Sequence, residues 1–177
     1  AEMASWGLDF GKVPAEGEIL DIGCGGGANL NRLMQRSIKG KVTGVDYSTV
    51  SVQKSAKVNA AAIKEGRCQV LSANVAQLPF ADDTFTMATA FETIYFWPDI
   101  ENSFAEVRRV MVPGGKFLIV NEDDGLSGNN GKWEKIIDGM HTYTPDEVKG
   151  HLEAAGFKDI RIHRNEPKHW LAVTAIK

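Results

Sequence analysis

The sequence predicts an α/β fold in which helices cover both faces of a doubly wound, mostly parallel seven-stranded sheet. Short apolar runs alternate with amphipathic stretches along the chain, as they do in successive βα units. A cluster of glycines follows the first apolar run, where the first βα turn is expected. The length of 177 residues fits one domain. We therefore expect a single domain over 1–177. Because the chain opens without Met on what reads as the tail of a helix, we expect it to lack some N-terminal residues.

The strands are predicted from short apolar runs that turn-forming residues bound. A proline and two glycines, for example, turn the chain into the fifth strand. In chain order the predicted strands are 18–22, 41–46, 68–73, 85–91, 116–122, 159–164 and 169–177.

About five helices are predicted from the spacing of apolar residues and from capping signals. One ends near the start of the chain, one follows the glycines, and a third runs from its cap Ser48 to Glu65. Asp99 caps the fourth. Thr144 caps the fifth, because a proline follows it at the first helical position and Glu147 completes a capping box.

Composition argues against several classes of protein. The net charge of −3 offers no basic surface for nucleic acid, so no nucleic-acid partner is expected. No apolar run approaches the roughly 20 residues that span a bilayer, so we expect no membrane insertion. Two cysteines suit a reducing, cytoplasmic location. The four histidines show no metal-ligand spacing, so no metal site is expected. The sequence leaves the oligomeric state open.

The glycines indicate a cofactor that contains a nucleoside. Without side chains they allow a ligand to lie against the backbone at the N-terminus of the following helix. Asp46 ends the second strand, where a carboxylate can accept both hydroxyls of a ribose. The run from Gly23 to Ala28 also fits the dinucleotide pattern G-x-G-x-x-G/A. Asp21, however, would repel a pyrophosphate and would suit a ligand that carries an ammonium group, such as S-adenosylmethionine.

Four motifs in order resemble those of the class I S-adenosylmethionine-dependent methyltransferases, in particular the small-molecule group similar to the ubiquinone/menaquinone-biosynthesis methyltransferases. The resemblance is strong over 18–121. The motifs are Asp21-x-Gly23-x-Gly25-x-Gly27, "GVDYS", "ANVAQLPFADDTFTMATA" and "VMVPGGKFLIV". The chain departs from the family pattern at Asn74, where an Asp is usual, and at Phe85-Thr86, where Phe-Asp is frequent.

This resemblance implies a Rossmann-like fold whose last strand is antiparallel, which agrees with the short link before that strand. It implies S-adenosylmethionine as methyl donor and S-adenosylhomocysteine as product. Asp46 would bind the ribose hydroxyls, Tyr47 would pack on the adenine, and the amide oxygen of Asn74 would accept from the adenine amino group. The residues expected to bind the donor are Asp21, Gly23, Cys24, Gly25, Asp46, Tyr47, Asn74, Val75 and Phe91.

Methyl transfer from a sulfonium requires alignment, exclusion of water and, for some acceptors, removal of a proton. The segment after the fourth strand should flank the donor, and Glu92 and Tyr95 are its candidate catalytic residues. In the alternative interpretation Glu92 is a solvated or backbone-bonding acid, and Tyr95 forms an apolar wall with Phe96 and Trp97.

About twenty irregular residues precede the last helix, as in binding loops and lids. Trp133, Ile136 and Ile137 fit either a small lid helix or ordinary core packing. Three functions stay open at this point. The first hypothesis is methyl transfer to a small-molecule substrate. The second is a non-catalytic subunit that binds S-adenosylmethionine or a partner, and the third, which Asp21 disfavours, is an NAD-dependent oxidoreductase.

Overall fold

The computed structural model describes residues 1–128, 134 and 136–177. Its strands are β1 Glu18–Ile22, β2 Lys41–Asp46, β3 Cys68–Ser72, β4 Phe85–Phe91, β5 Met111–Asn121, β6 Lys158–Asn165 and β7 Trp170–Ile176. Its helices are α1 Glu2–Gly11, α2 Ala28–Arg36, α3 Thr49–Val58, α4 Ala60–Lys64, α5 Ile100–Val110 and α6 Pro145–Ala154. Short 3-10 helices lie at Ile94–Phe96 and Glu166–Lys168.

All seven strands form one sheet in the order β3-β2-β1-β4-β5-β7-β6. The pairs from β3 to β5 are parallel, whereas β7 pairs antiparallel with both β5 and β6. The predicted Rossmann-like sheet with an antiparallel last strand is therefore confirmed. The order reverses between β1 and β4, and a crevice is expected outside their carboxyl ends.

The core lies on both faces of the sheet, because successive residues of β5 point in opposite directions. Phe117 and Ile119 belong to the cluster that packs under α5 and α6. Leu118 and Val120 belong to the cluster that packs under α1 and α2. The fifth strand is thus buried on both sides, as its continuous apolar run from 117 to 120 indicates.

The predicted helix caps are present. Ser48, Asp99 and Thr144 each accept a backbone N–H three residues further on, and Glu147 completes the capping box. One predicted element is wrong in detail: the helix expected from Ser48 to Glu65 is two helices, α3 and α4. The described residues therefore contain six α-helices, where about five were predicted. The break is at Asn59, whose buried side-chain amide donates to the carbonyl of Gly27 at 3.1 Å.

The fifth strand also begins earlier than predicted, at Met111, and takes in the turn at Pro113 and Gly114. The register against β4 shifts between Phe85 and Met87, which accommodates that turn. None of the helices in the described ranges is long and apolar enough to cross a membrane.

The segment predicted as a small lid helix contains no described helix. Ile136 and Ile137 lie in turns and are substantially exposed. Trp133 falls outside the described residues.

Candidate functional site

A cavity of about 750 Å³ opens at the carboxyl ends of β1, β2 and β4, where the strand order reverses. Most of the predicted site residues line it; these are Gly23, Gly25, Asp46, Tyr47, Asn74, Val75, Phe91 and Glu92. Its wall continues through Thr93, Phe96, Trp97 and Pro98. The side chains of Asp21, Cys24 and Tyr95 lie outside this lining.

Two glycines of the glycine loop lie tightly against neighbouring side chains, and a third has open space beside it. All three have positive φ, at Gly23 (+77°), Gly25 (+51°) and Gly27 (+83°). A Cβ on Gly23 would lie 2.4 Å from Cγ2 of Thr93, and one on Gly27 would lie 2.4 Å from Oγ of Ser55. A Cβ on Gly25 would meet nothing within 4 Å. The backbone at Gly25 is therefore the part of the loop that a ligand can approach.

Asp46 joins the glycine loop to the start of α3. One carboxylate oxygen accepts the backbone N–H of Gly25 at 2.9 Å, and the other accepts that of Ser48 at 2.9 Å. Each carboxylate oxygen has a second lone pair, so the side chain can still accept from two hydroxyl groups. These two hydrogen bonds fix the orientation of the Asp46 carboxylate at the mouth of the cavity.

Asp21 lies behind the loop and is only 1% exposed. Its Oδ1 accepts the hydroxyl of Thr89 at 2.7 Å, whereas its Oδ2 has no hydrogen-bond partner in the described chain. Burial raises the pKa of this carboxyl from 3.8 to about 7. The hydrogen bond from Thr89 lowers the pKa in part, and the negative charge of Asp46 raises it by a smaller amount. A buried carboxylate oxygen without a donor is costly, so this position favours a ligand that brings a cation or a hydrogen-bond donor.

The outer end of the cavity carries the residues expected at the adenine. Tyr47 is 81% exposed, so one face of its ring is free to pack on a ligand. Asn74 is exposed, and its Oδ1 already accepts the N–H of Ala76 at 2.9 Å. The amide oxygen therefore has one lone pair left, and its NH₂ group remains as a donor. Val75 is buried beside it.

Cys24 packs beneath the loop. Its thiol donates to Oγ of Ser55 at 3.8 Å, and it is buried. Burial raises the pKa of the thiol to about 12, with the charge of Asp21 adding to it. A thiol that stays protonated at neutral pH is a packing group and not a nucleophile.

Glu92 stands at the end of β4 and lines the inner wall of the cavity. Its φ of +61° is uncommon for a residue with a side chain. The carboxylate accepts the backbone N–H of Glu122. Burial raises the pKa of Glu92 to about 7, the hydrogen bond from Glu122 opposes this, and the charges of Glu122 and Asp123 add to it. A carboxyl with this pKa can take up or release a proton near neutral pH.

Tyr95 points away from the cavity and toward the segment that follows β5. Its hydroxyl accepts the N–H of Asp123 at 3.2 Å and donates to the carbonyl of Asp123 at 3.4 Å. Its own carbonyl accepts the N–H of His141 at 2.8 Å. Through these contacts Tyr95 holds Asp123 and His141, near the two ends of the irregular segment, against the residues that follow β4. His141 and Tyr143, at the end of that segment, stack edge to face at 4.5 Å.

Two residues that support the site were not singled out in the sequence. Thr89 binds Asp21, and Thr93 packs against Gly23 while its hydroxyl donates to the carbonyl of Ile22 at 3.1 Å. These partners are about 70 residues apart in the chain, and only the register of β1 against β4 brings them together. Among the residues with described coordinates, no group of three or more His, Cys, Asp or Glu could hold a metal ion.

Comparison with known proteins identifies one family. The family described as "Methyltransferase domain" matches residues 20–119. The 24-methylenesterol C-methyltransferase 3 of Arabidopsis thaliana is 34% identical over 117 residues, which cover 66% of this chain and 32% of that relative. The chain therefore spans about a third of the length of this relative.

Solved structures share the fold over almost the whole chain. Geranyl diphosphate C-methyltransferase from Streptomyces coelicolor A3(2), crystallised with Mg²⁺, geranyl diphosphate and S-adenosylhomocysteine, superposes with a TM-score of 0.84 at 15% identity, covering 99% of this chain and 79% of that one. The [4+2]-cyclase SpnF superposes with a TM-score of 0.81 at 18% identity, covering 99% and 80%. At these identities the likeness concerns the fold alone.

Proposed function

Because the chain belongs to the methyltransferase domain family, we propose that it is a class I S-adenosylmethionine-dependent enzyme that transfers a methyl group to a small molecule. The observation that carries the proposal is the unpartnered Oδ2 of Asp21, buried directly behind the glycine loop. Of the cofactors that fit a glycine loop and a ribose-binding acid, S-adenosylmethionine is the one that brings an ammonium group to this position. A pyrophosphate there would face the same carboxylate with like charge.

In the proposed binding mode the donor lies across the cavity. Its ammonium group would approach Asp21 directly or through water, and its ribose hydroxyls would donate to Asp46. The adenine would pack between Tyr47 and Val75, with Asn74 at its polar edge. The remaining contacts are assigned to the backbone of Gly23 and Gly25, to Cys24 beneath the loop and to Phe91.

S-adenosylmethionine supplies an electrophilic methyl group on a sulfonium, which a nucleophile displaces in line. The chain's residues then have three tasks: to align the acceptor, to exclude water and to receive a proton where the acceptor carries one. Glu92 is placed for the last task, since it lines the cavity and burial raises its pKa to about 7. Tyr95, whose hydroxyl holds Asp123, would act as a positioning residue for the loop beside Glu92.

A second candidate is a protein that binds S-adenosylmethionine without transferring its methyl group. It is favoured by the position of Tyr95, one of the two candidate catalytic residues, whose hydroxyl binds the backbone of Asp123 and does not line the cavity. An NAD-dependent oxidoreductase is the weaker alternative, because a pyrophosphate over the glycine loop would face the like charge of the Asp21 carboxylate buried behind that loop. We further propose that 1–177 forms a single domain and acts in the cytoplasm, where the two free, buried cysteines would stay reduced.

The test is a methylation assay with methyl-labelled S-adenosylmethionine and a small-molecule cell extract. The wild-type protein should transfer label to an extract component, and Glu92→Gln should lower the rate while retaining S-adenosylhomocysteine binding. Asp46→Asn, which should bind the donor poorly, controls for label transferred by contaminants. If the protein binds S-adenosylhomocysteine but labels nothing in any extract, the non-catalytic candidate replaces the enzyme.

A further inference from the structure

A second depression lies on the sheet face under α1, away from the cofactor cavity. Its volume is about 310 Å³, and three elements contribute cationic side chains to it. Lys12 follows α1, Lys116 lies in the middle of β5, and Arg161 lies in β6. Because Lys116 is opposite Ile176 near the amino end of the parallel sheet, the depression is at the other end of the strands from the cofactor cavity.

These cations have no ionic partner in the described part of the chain, in contrast to neighbouring cations. Lys177, which follows Ile176 of the depression in the chain, pairs with Asp83 at 2.6 Å, and at the other end of α1 Lys168 pairs with Glu2 at 2.6 Å. Two acids, Asp9 and Asp159, also line the depression. Neither pairs with the three cations, and Asp9 instead approaches Arg36 at 3.5 Å.

The positive charges of Lys12 and Arg161 act on the ammonium group of Lys116. The pKa of this lysine lies below its ordinary value, first because it is partly buried and then because of the charges of Lys12 and Arg161. No acid contributes to that shift. The depression thus gathers three positive charges against two negative ones, and none of the three cations forms an ion pair in the described residues. Such an excess of one charge lowers stability, and losses of this kind concentrate at functional sites.

The lining of the depression also includes uncharged groups that could contact a ligand, among them the side chains of His163 and Thr174. His163 stacks on Phe10 with ring centroids 3.9 Å apart and an angle of 11° between the planes. Burial and the charge of Arg161 lower the pKa of His163, so its ring is neutral at physiological pH and offers a nitrogen donor. Thr174 brings a hydroxyl from β7.

We propose that the depression formed by Lys12, Lys116 and Arg161 binds a small polyanion that carries closely spaced phosphate or carboxylate groups. The guanidinium group of Arg161 and the ammonium groups of the two lysines would donate charge-assisted hydrogen bonds to its oxygens. This site does not depend on the proposed methyl transfer, since no residue of the cofactor cavity belongs to it.

The test is calorimetric titration of the protein with pyrophosphate and, separately, with citrate at low ionic strength. One saturable site should appear for at least one anion, and the anion that binds more tightly tells whether phosphate or carboxylate groups are preferred. Lys116→Gln should weaken that binding by about tenfold, the effect of one good charged contact. Lys57→Gln, which removes an exposed charge from α3, should leave it unchanged.

Thermal unfolding separates a binding role from a structural one. Without anion, Lys116→Gln should raise Tm by about 2 °C because it relieves the repulsion. Pyrophosphate should stabilise the wild type more than the variant. S-adenosylhomocysteine affinity should be the same in both, which keeps this result independent of the proposed function. Absence of saturable binding, equal binding by the variant, or a lower Tm of the variant would overturn the proposal.

Discussion

Replacing Asp21 with asparagine should make the protein more stable at alkaline pH and should weaken its binding of S-adenosylhomocysteine. The carboxyl is buried, with a pKa raised from 3.8 to about 7. Since the folded-state pKa lies above the unfolded value, its protonated form stabilises the fold below pH 4, and that contribution is lost as the pH rises through 7. At about 1.4 kcal/mol per pH unit, the ionised group costs the folded protein about 4 kcal/mol above pH 7.

The dependence on pH isolates this cost from other effects of the substitution. Asparagine keeps an oxygen for the Thr89 hydroxyl, but it adds a buried NH₂ group whose missing partner costs about 1–3 kcal/mol at every pH. The penalty of wild-type Asp21 is about 2 kcal/mol at pH 5 and about 4 kcal/mol at pH 8. The stability of Asp21→Asn relative to wild type should therefore rise by about 2–3 kcal/mol between these pH values.

Urea unfolding at pH 5 and pH 8 measures this difference. Thr89→Val is the matched control: it removes the hydrogen bond that lowers the pKa of Asp21, so its stability should fall more steeply with pH than that of the wild type. Affinity of Asp21→Asn for S-adenosylhomocysteine should fall by about 10- to 100-fold, as expected when a hydrogen bond to a charged group is lost. A relative stability that does not change with pH would mean that burial does not penalise the ionised Asp21 carboxyl, and an unchanged affinity would mean that Asp21 does not contact the ligand.

Two further predictions concern the loops around the cavity. Gly23→Ala should unfold at a lower urea concentration than Gly25→Ala, because the added Cβ would lie 2.4 Å from Thr93 at Gly23 and would meet nothing within 4 Å at Gly25. Gly25→Ala should nevertheless lose S-adenosylhomocysteine binding. Equal stabilities of the two variants would contradict the prediction. Tyr95→Phe should speed hydrogen exchange at the amide of Asp123, which donates to the tyrosine hydroxyl, and should change S-adenosylhomocysteine affinity by less than about threefold. Unchanged exchange would show that Tyr95 does not hold this loop.

Much of the fold could be predicted because its signals are local. The caps at Ser48, Asp99 and Thr144 lie three residues from the N–H groups that they bind, so sequence spacing alone reveals them. The break at Asn59 could not be predicted in this way. Its partner is the carbonyl of Gly27, 32 residues earlier, and that contact exists only after α3 has packed beside the glycine loop.

In the candidate site, too, the features with local sequence signals could be predicted, and those that depend on contacts between distant residues could not. The glycines follow directly after β1 and Asp46 is the last residue of β2, so the carboxyl edge of a parallel sheet brings them together. The sequence could not reveal that Asp21 binds Thr89, because this pairing depends on the register of β1 against β4. It also could not give the direction of Tyr95, which follows Glu92 by three residues but turns to the segment after β5.

A calorimetric titration of the wild-type protein with S-adenosylhomocysteine and with NAD decides which cofactor the cavity binds. We expect S-adenosylhomocysteine to bind tightly at one site per chain, and NAD to give no binding, because Asp21 would face its pyrophosphate. Binding of NAD without binding of S-adenosylhomocysteine would contradict the assignment of the cavity.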